Sequence, residues 1–353
     1  GGGFSDEGFG VDVDKEGNIY LTGSFQDSVT FRDDITLESK DSDDAFVVKL
    51  DENGEVVWVE QFGGTSSDQS YGIRVDEVGN SYVTGSFRNS ATFGTPTVAD
   101  DEDNLEVAVV ERLLDESQQE IQENPQETVN PPQTSFELQS KGKSDGFIAK
   151  LNQDGKVQWV EQFGNENSEN GEGIAVDSEG NTYVTGNFKG EVKFGEFTLT
   201  ADDVGDGFVT KLDADGETIW ASKFGGDAFD QGYEIAVDKN GNSYVTGSFE
   251  GDADFGNFRL STENTPGVFV TKLDDAGDFE WSKDFDGTND SQGHGITVDK
   301  DDNSYVTGYF KGSITFGDTT LKSNGSKDGF IAKLDTEGNV KWANKFGGNS
   351  DDE

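Results

Sequence analysis

The chain has 353 residues, with 72 acidic against 26 basic side chains, a formal net charge of −46 at pH 7, and neither Cys nor Met. Without Cys there is no disulfide framework and no thiolate metal site, and so negative a surface repels nucleic acid and anionic lipid while attracting cations. No apolar run approaches membrane-spanning length, and a chain that starts Gly-Gly-Gly rather than Met reads as trimmed; with a charge suited to screening salt or divalent ions, this predicts a secreted or cell-surface protein with no membrane insertion.

Internal repetition overrides the two or three domains that length alone suggests and predicts a single domain over 1–353. Tyr-x-Thr-Gly recurs at Tyr20, Tyr82, Tyr183, Tyr244 and Tyr305, spaced 62, 101, 61 and 61 residues apart, so one repeat carries roughly forty extra residues. Each repeat opens with a short apolar run closed by Asp, as in Ile174 to Asp177. A turn with Gly suited to positive φ follows (Gly180), replaced by Asp302 in the fifth copy. The second strand is the Tyr-Val-Thr-Gly-x-Phe run, and six residues after its Phe stands another, at Phe31, Phe93, Phe194, Phe255 and Phe316. The third reads Phe-Val-x-Lys-Leu, as from Phe208 to Leu212, and turns through Asp-x-x-Gly into a fourth strand that holds the five Trp residues: Trp58, Trp159, Trp220, Trp281 and Trp342.

Four strands per repeat with tight turns describe an up-and-down antiparallel sheet that cannot cover both its apolar faces alone. Radial stacking about an axis covers them, so the expected fold is all-β, a five-bladed β-propeller with four antiparallel strands per blade. The blades fall near 8–64, 70–164, 171–226, 232–287 and 293–348. A linear solenoid is the rival, and it would need atypical capping repeats that the sequence lacks. The extra residues of blade 2, 96–135, show a helical stripe from Asn104 to Asn124 with Leu105, Val109 and Leu113 on one side and Pro125 as its stop. They predict one helical insertion, projecting from the face that carries the connectors between blades, either folded over the propeller or offered to a partner.

The string Gly-Ile-Ala-Val-Asp, Gly-Asn-x-Tyr-Val-Thr-Gly-x-Phe, Phe-Gly, then Asp-x-Phe-Val-x-Lys-Leu-Asp-x-x-Gly and Trp with Phe-Gly-Gly resembles the bacterial SBBP-type β-propeller repeat, and the third and fourth copies match it almost throughout. The resemblance implies the propeller fold and a secreted or surface setting. It is associated with seven blades, whereas this chain supplies five copies.

The single His, His294, lies in a connector, and with no Cys, no second His and no Gly-x-Ser-x-Gly elbow the chain lacks material for a nucleophilic triad or a zinc centre. A paired-carboxylate glycosidase would need unique acids, and most acids here recur as turn residues; the chain is expected not to be an enzyme. The connectors carry acids at Asp68, Glu169, Asp230, Asp290 and Asp352, which either accept backbone N–H groups or ring the axis as oxygen ligands for Ca²⁺. Aromatics on the same face (Phe4, Phe9, Tyr71, Phe229 and Tyr233) could stack on a glycan. Both ends of the chain read as versions of one connector, which suggests a homo-oligomer built head to tail through the termini and the insertion. The leading expectation is therefore an extracellular structural or interaction protein, possible subunit of a filament or layer, with a lectin as the alternative.

Overall fold

The computed structural model describes residues 4–32, 35–94, 97–98, 135–201, 204–263, 265–285 and 287–352, and every regular element in them is a β-strand. Five four-stranded sheets follow one another, each antiparallel in chain order. The first is Asp6–Val13, Ile19–Phe31, Ile35–Leu50 and Val56–Gly64. The second is Gln69–Val75, Ser81–Phe87, Asp145–Leu151 and Val157–Phe163. The third is Asn170–Val176, Thr182–Phe188, Asp206–Leu212 and Thr218–Gly226. The fourth is Gln231–Val237, Ser243–Phe249, Gly267–Leu273 and Phe279–Phe285, and the fifth Ser291–Val298, Ser304–Phe316, Thr319–Leu334 and Val340–Phe346. First strands of consecutive sheets pack on one another, which makes the arrangement propeller-like with those strands innermost. Second strands such as Thr182–Phe188 are buried along their whole length, as a strand covered on both faces must be.

Local chemistry explains the turns. After each first strand an Asp side chain holds the hairpin: Asp76 Oδ1 accepts Val78 N and Asn80 N at 3.0 and 2.9 Å, and Oδ2 accepts Asn80 Nδ2 at 2.7 Å and the Tyr82 hydroxyl at 3.1 Å. Asp14, Asp177, Asp238 and Asp299 repeat the arrangement with Tyr20, Tyr183, Tyr244 and Tyr305. The Asp and Tyr of each repeat are thus one structural unit, which satisfies hydrogen-bonding groups that burial would otherwise strand. Asp302 adopts φ +61° where the other copies have Gly.

Three contacts lock each sheet to the next. The fourth-strand Trp donates its indole N–H across the junction to a backbone carbonyl, Trp58 to Gln153, Trp159 to Ala214, Trp220 to Asp275 and Trp281 to Thr336, at 2.9–3.1 Å. The Phe four residues later meets the Phe of the following sheet's second-to-third connection: Phe62 with Phe93, Phe163 with Phe194, Phe224 with Phe255 and Phe285 with Phe316, centroids 4.6–5.0 Å apart. Finally the Thr of Tyr-x-Thr-Gly abuts the next inner strand so closely that a Cβ on Gly171, Gly232 or Gly293 would fall 2.0–2.2 Å from Thr84, Thr185 or Thr246 Oγ1. Burying an aromatic pair and an indole at each junction is what holds the sheets radially.

Two expectations need correction. The fold is all-β among the described residues, with no helix in them; the stretch from Asn104 to Asn124, with Leu105, Val109 and Leu113, expected as a helical insertion, lies outside them. Nor does the chain close into a five-bladed ring. The fifth sheet's junction face is open, with Trp342 37% and Phe346 50% exposed, whereas Trp58 and Phe62 at the first junction are each 1% exposed. Five copies supply four junctions, so the number of blades in a closed ring is not set by this chain.

Candidate functional site

In every sheet the pairing of first and second strands slips by one residue between the same two positions: Gly8/Gly10, Ser70/Gly72, Gly171/Gly173, Gly232/Glu234 and Gly293/Gly295. The residue inside each bulge is Phe9, Tyr71, Glu172, Tyr233 and His294. A bulge re-aims a side chain out of the ladder, and here it does so on five adjacent inner strands. Phe9 and Tyr71 stand 5.5 Å apart by ring centroid; Tyr233 and His294 are 5.3 Å apart, and His294 meets Tyr309 edge-on at 5.3 Å. Between the two aromatic groups sits Glu172, which accepts Gln231 Nε2 at 2.9 Å. Burial pushes the Glu172 carboxyl up to about 7, and burial followed by the Glu172 charge raises the phenols of Tyr71 and Tyr233. Deeper along the same strands Arg74 reaches Glu234, two sheets away, at 3.2 Å. The mouth of the axis therefore offers aromatic faces flanking one carboxyl that titrates near neutrality, a surface for stacking and hydrogen bonding.

The connector acids lie elsewhere. Asp68, Glu169 and Asp230 are 0–1% exposed, and each ties down its own connector: Asp68 accepts Gly64 N at 2.9 Å and Arg88 N at 3.0 Å, Glu169 accepts Asn165 N at 3.0 Å, and Asp230 accepts Gly226 N at 2.8 Å. Asp352 repeats the contact with Gly348 N at 2.6 Å. Asp290 stands one residue before this register position, which Ser291 takes, and Asp290 instead accepts the Tyr309 hydroxyl at 3.1 Å. In the first three sheets the connector acid lies beside a fully buried Asp of the third strand, Asp68 beside Asp44, Glu169 beside Asp145 and Asp230 beside Asp206, and the fifth sheet keeps that buried Asp as Asp328. That second acid takes a cap from the fourth strand, Gln61 at 2.6 Å, Gln162 at 2.7 Å, Lys223 at 2.5 Å and Lys345 at 2.7 Å. In the fourth sheet all three places change together, to Gly267, Asp284 and Ser291.

Burial pushes Asp44 up to about 6 and Asp68, Glu169 and Asp230 up to about 7, and the neighbouring carboxylate adds to this in the last three. At Asp328 burial works upward too, but the Lys345 hydrogen bond, with backbone N–H groups of Asn324 and Gly325, holds the carboxyl below the ordinary range, whereas Asp230 stays high although Lys223 caps its neighbour Asp206. Asp44 Oδ1 and Glu169 Oε1 are buried with no hydrogen-bond partner, and so is Asp328 Oδ1 in a blade capped by Lys. Among the described residues no three acidic or His side chains gather as a metal centre; in the first three sheets the acids meet two by two, one pair per sheet.

Of the remaining sequence candidates, Phe4 and Phe229 are 63% and 40% exposed, and Phe229 packs beside Gly205 rather than in the axial row. Sequence reading missed Glu172 and the third-strand acids. Their signal was present: Glu172 breaks an otherwise aromatic or His column, and the two acids vanish from the same copy.

Stacked four-stranded antiparallel sheets gathered on their first strands, locked by a recurring Trp and Phe, define a β-propeller-repeat protein. Its repeats are those of the SBBP family: the model for that beta-propeller repeat matches four times, over residues 57–86, 158–187, 219–248 and 280–309. Each match runs from the fourth strand of one sheet to the second strand of the next, so it spans one junction. The chain is also similar, at 23% identity over 254 residues, to an uncharacterized WD repeat-containing protein of Acanthamoeba polyphaga mimivirus; the aligned part is 64% of this chain and 16% of that protein.

Proposed function

We propose that the chain is a non-catalytic interaction scaffold that works outside the cell and contacts its partner at the mouth of the axis. One observation carries the reading. The copies repeat the residues that build turns and junctions, and they diverge at the bulged position, where Phe9, Tyr71, Glu172, Tyr233 and His294 face the same opening. Uniform positions suit a frame; a divergent, re-aimed position suits recognition. The net charge of −46 and the absence of Cys support an exterior rich in salt or divalent ions as its setting. The acid pairs capped by Gln, Asp44 with Asp68 and Asp145 with Glu169, are the places proposed for a shared proton or a Ca²⁺ ion.

The aromatic groups favour a glycan as the second reading, since rings on either side of a carboxyl can stack on sugar faces while hydrogen-bonding a hydroxyl. A glycan array and a displayed peptide library, each probed with the wild-type chain and with a Tyr71→Ala/Tyr233→Ala variant, test both. Ligands enriched on the wild type and lost on the variant support the axial site, with the winning array naming the class. Equal profiles for the two proteins remove the site from consideration, and turnover of any captured sugar would make the chain an enzyme.

A further inference from the structure

The first and fifth sheets each present half of a junction that the molecule completes four times internally. On the fifth sheet the three locking residues stand ready and unused: Thr307 is exposed, although Thr22, Thr84, Thr185 and Thr246 are fully buried. Trp342 is 37% exposed and Phe346 50%, and the Trp342 indole meets Tyr305 of its own sheet edge-on. The first sheet carries the receiving half. Val11 is 62% exposed, and its counterparts Ile73, Ile174 and Ile235 are 0% exposed because a preceding sheet covers them. Gly54 shows the same vacancy from the other side of the interface. At Gly155, Gly216, Gly277 and Gly338 a Cβ would strike the preceding sheet's Trp ring at 2.6–2.9 Å, whereas around Gly54 there is nothing within 4 Å. Phe31, the counterpart of Phe93, Phe194, Phe255 and Phe316, is only partly buried.

We infer that these two faces bind each other between copies: the fifth sheet of one chain docks on the first sheet of another, with Trp342 over Gly54, Phe346 against Phe31 and Thr307 beside the inner strand that carries Val11. The occupant is a second copy because any one chain displays both halves, each with the residue types that already fit together at four internal junctions, so the contact continues an existing interface. It is heterologous, and repetition makes a head-to-tail chain or a ring. Such an assembly works against a charge of −46 per copy, so screening salt strengthens it. The inference extends the scaffold reading by naming one partner and does not depend on what the axial mouth binds.

Sedimentation velocity over a concentration series in ~0.5 M salt, where charge repulsion is screened within a few ångström, tests it with three proteins: wild type, Val11→Asp and Thr307→Arg. Both positions are exposed, and circular dichroism checks that each variant keeps the wild-type fold. The wild type should show mass rising with concentration, and each variant alone should stay monomeric. An equal mixture of the two variants should form a one-to-one dimer and nothing larger, because Val11→Asp retains an intact fifth sheet and Thr307→Arg an intact first sheet. A wild type that stays monomeric at the highest concentration overturns the inference, as does association that both variants leave unchanged. Binding at the axial mouth, measured on the same variants, reports separately on the scaffold reading.

Discussion

Replacing Gln61 by Lys should stabilise the first sheet at alkaline pH, although it introduces a cation next to a buried site. Asp44, in the third strand, and Asp68, in the connector, are both buried and lie close enough to repel, and the Gln61 amide that caps Asp44 at 2.6 Å brings no charge. With burial pushing Asp68 up to about 7, keeping that carboxyl ionised well above neutrality costs on the order of 4 kcal/mol at ~1.4 kcal/mol per tenfold change in proton affinity. Asp44, pushed up to about 6, adds a smaller cost, and the two titrate as a pair rather than independently. The third and fifth sheets already place Lys223 and Lys345 where Gln61 stands, at 2.5 and 2.7 Å from the corresponding Asp. A Lys cannot repay the whole penalty, because its own desolvation and the lost Gln61 bond to the Glu38 carbonyl at 2.9 Å count against it. Because Asp230 stays near 7 beside the Lys223-capped Asp206, the gain comes chiefly through Asp44 and is expected to be on the order of 1 kcal/mol at pH 8. The sign follows from linkage: an acid whose folded pKa is raised binds more protons folded than unfolded, so stability is highest near the unfolded value and falls as pH rises through the folded one, here from about 4 to about 7. Hydrogen exchange on peptides covering Asp44 to Asp68, at pH 5 and pH 8 with rates corrected for intrinsic exchange, reads the effect in this sheet alone. Gln61→Lys should raise protection at pH 8 and flatten the loss between the two pH values. Unchanged pH dependence, or lower protection at pH 8, would refute the reasoning about the pair.

Other perturbations have similarly defined outcomes. Trp220→Phe removes the 2.9 Å bond to the Asp275 carbonyl and should lower unfolding stability by about 1–2 kcal/mol, seen as a lower denaturant midpoint; no change would mean that the indole N–H does not matter at the junction. Gly155→Ala combines φ +78° with a Cβ 2.7 Å from the Trp58 ring, whereas Gly54→Ala bears only the strain of φ +80°. The first should cost at least ~2 kcal/mol more than the second, and equal thermal shifts would contradict the open first face. If the acid pairs take Ca²⁺ rather than a proton, calcium should raise the melting temperature at pH 8 and a titration calorimeter should register heat that Asp68→Asn and Glu169→Gln diminish. With no heat and no shift, the proton is the remaining cation.

The blades were readable in the sequence because their determinants are local. The Asp that folds each hairpin is four residues from its Asn and six from its Tyr, so the turn, the second strand and the spacing all appear in one window. The junction residues were visible as periodic Trp and Phe, but whether the last of them finds a partner depends on the sheet that would follow it, and Trp342 and Phe346 keep the same spacing as Trp281 and Phe285. Closure was for that reason invisible. The acid pairs were half legible. Asp68 and Glu169 stood out as connector acids, yet their partners Asp44 and Asp145 lie in the third strand, and only folding shows that the two carboxyls come together. The ligand face was legible as aromatics at Phe9, Tyr71 and Tyr233, while the reason they face one opening, a one-residue slip in strand pairing, is a property of register that composition does not carry.

The matched repeat and the folded sheet are out of phase: each match at 57–86, 158–187, 219–248 and 280–309 begins on one sheet and ends on the next. A duplication or deletion of one whole period, the 61 residues from Trp159 to Trp220 for instance, copies or removes one seam's worth of residues, its Trp, its connector, its Tyr-x-Thr-Gly strand and the Phe that follows, and leaves the same kinds of contact at the other seams. The gene can thus lengthen or shorten the array without inventing a new contact surface, and the long segment of the second sheet, placed between second and third strands, falls outside every matched unit, where extra sequence interrupts no seam.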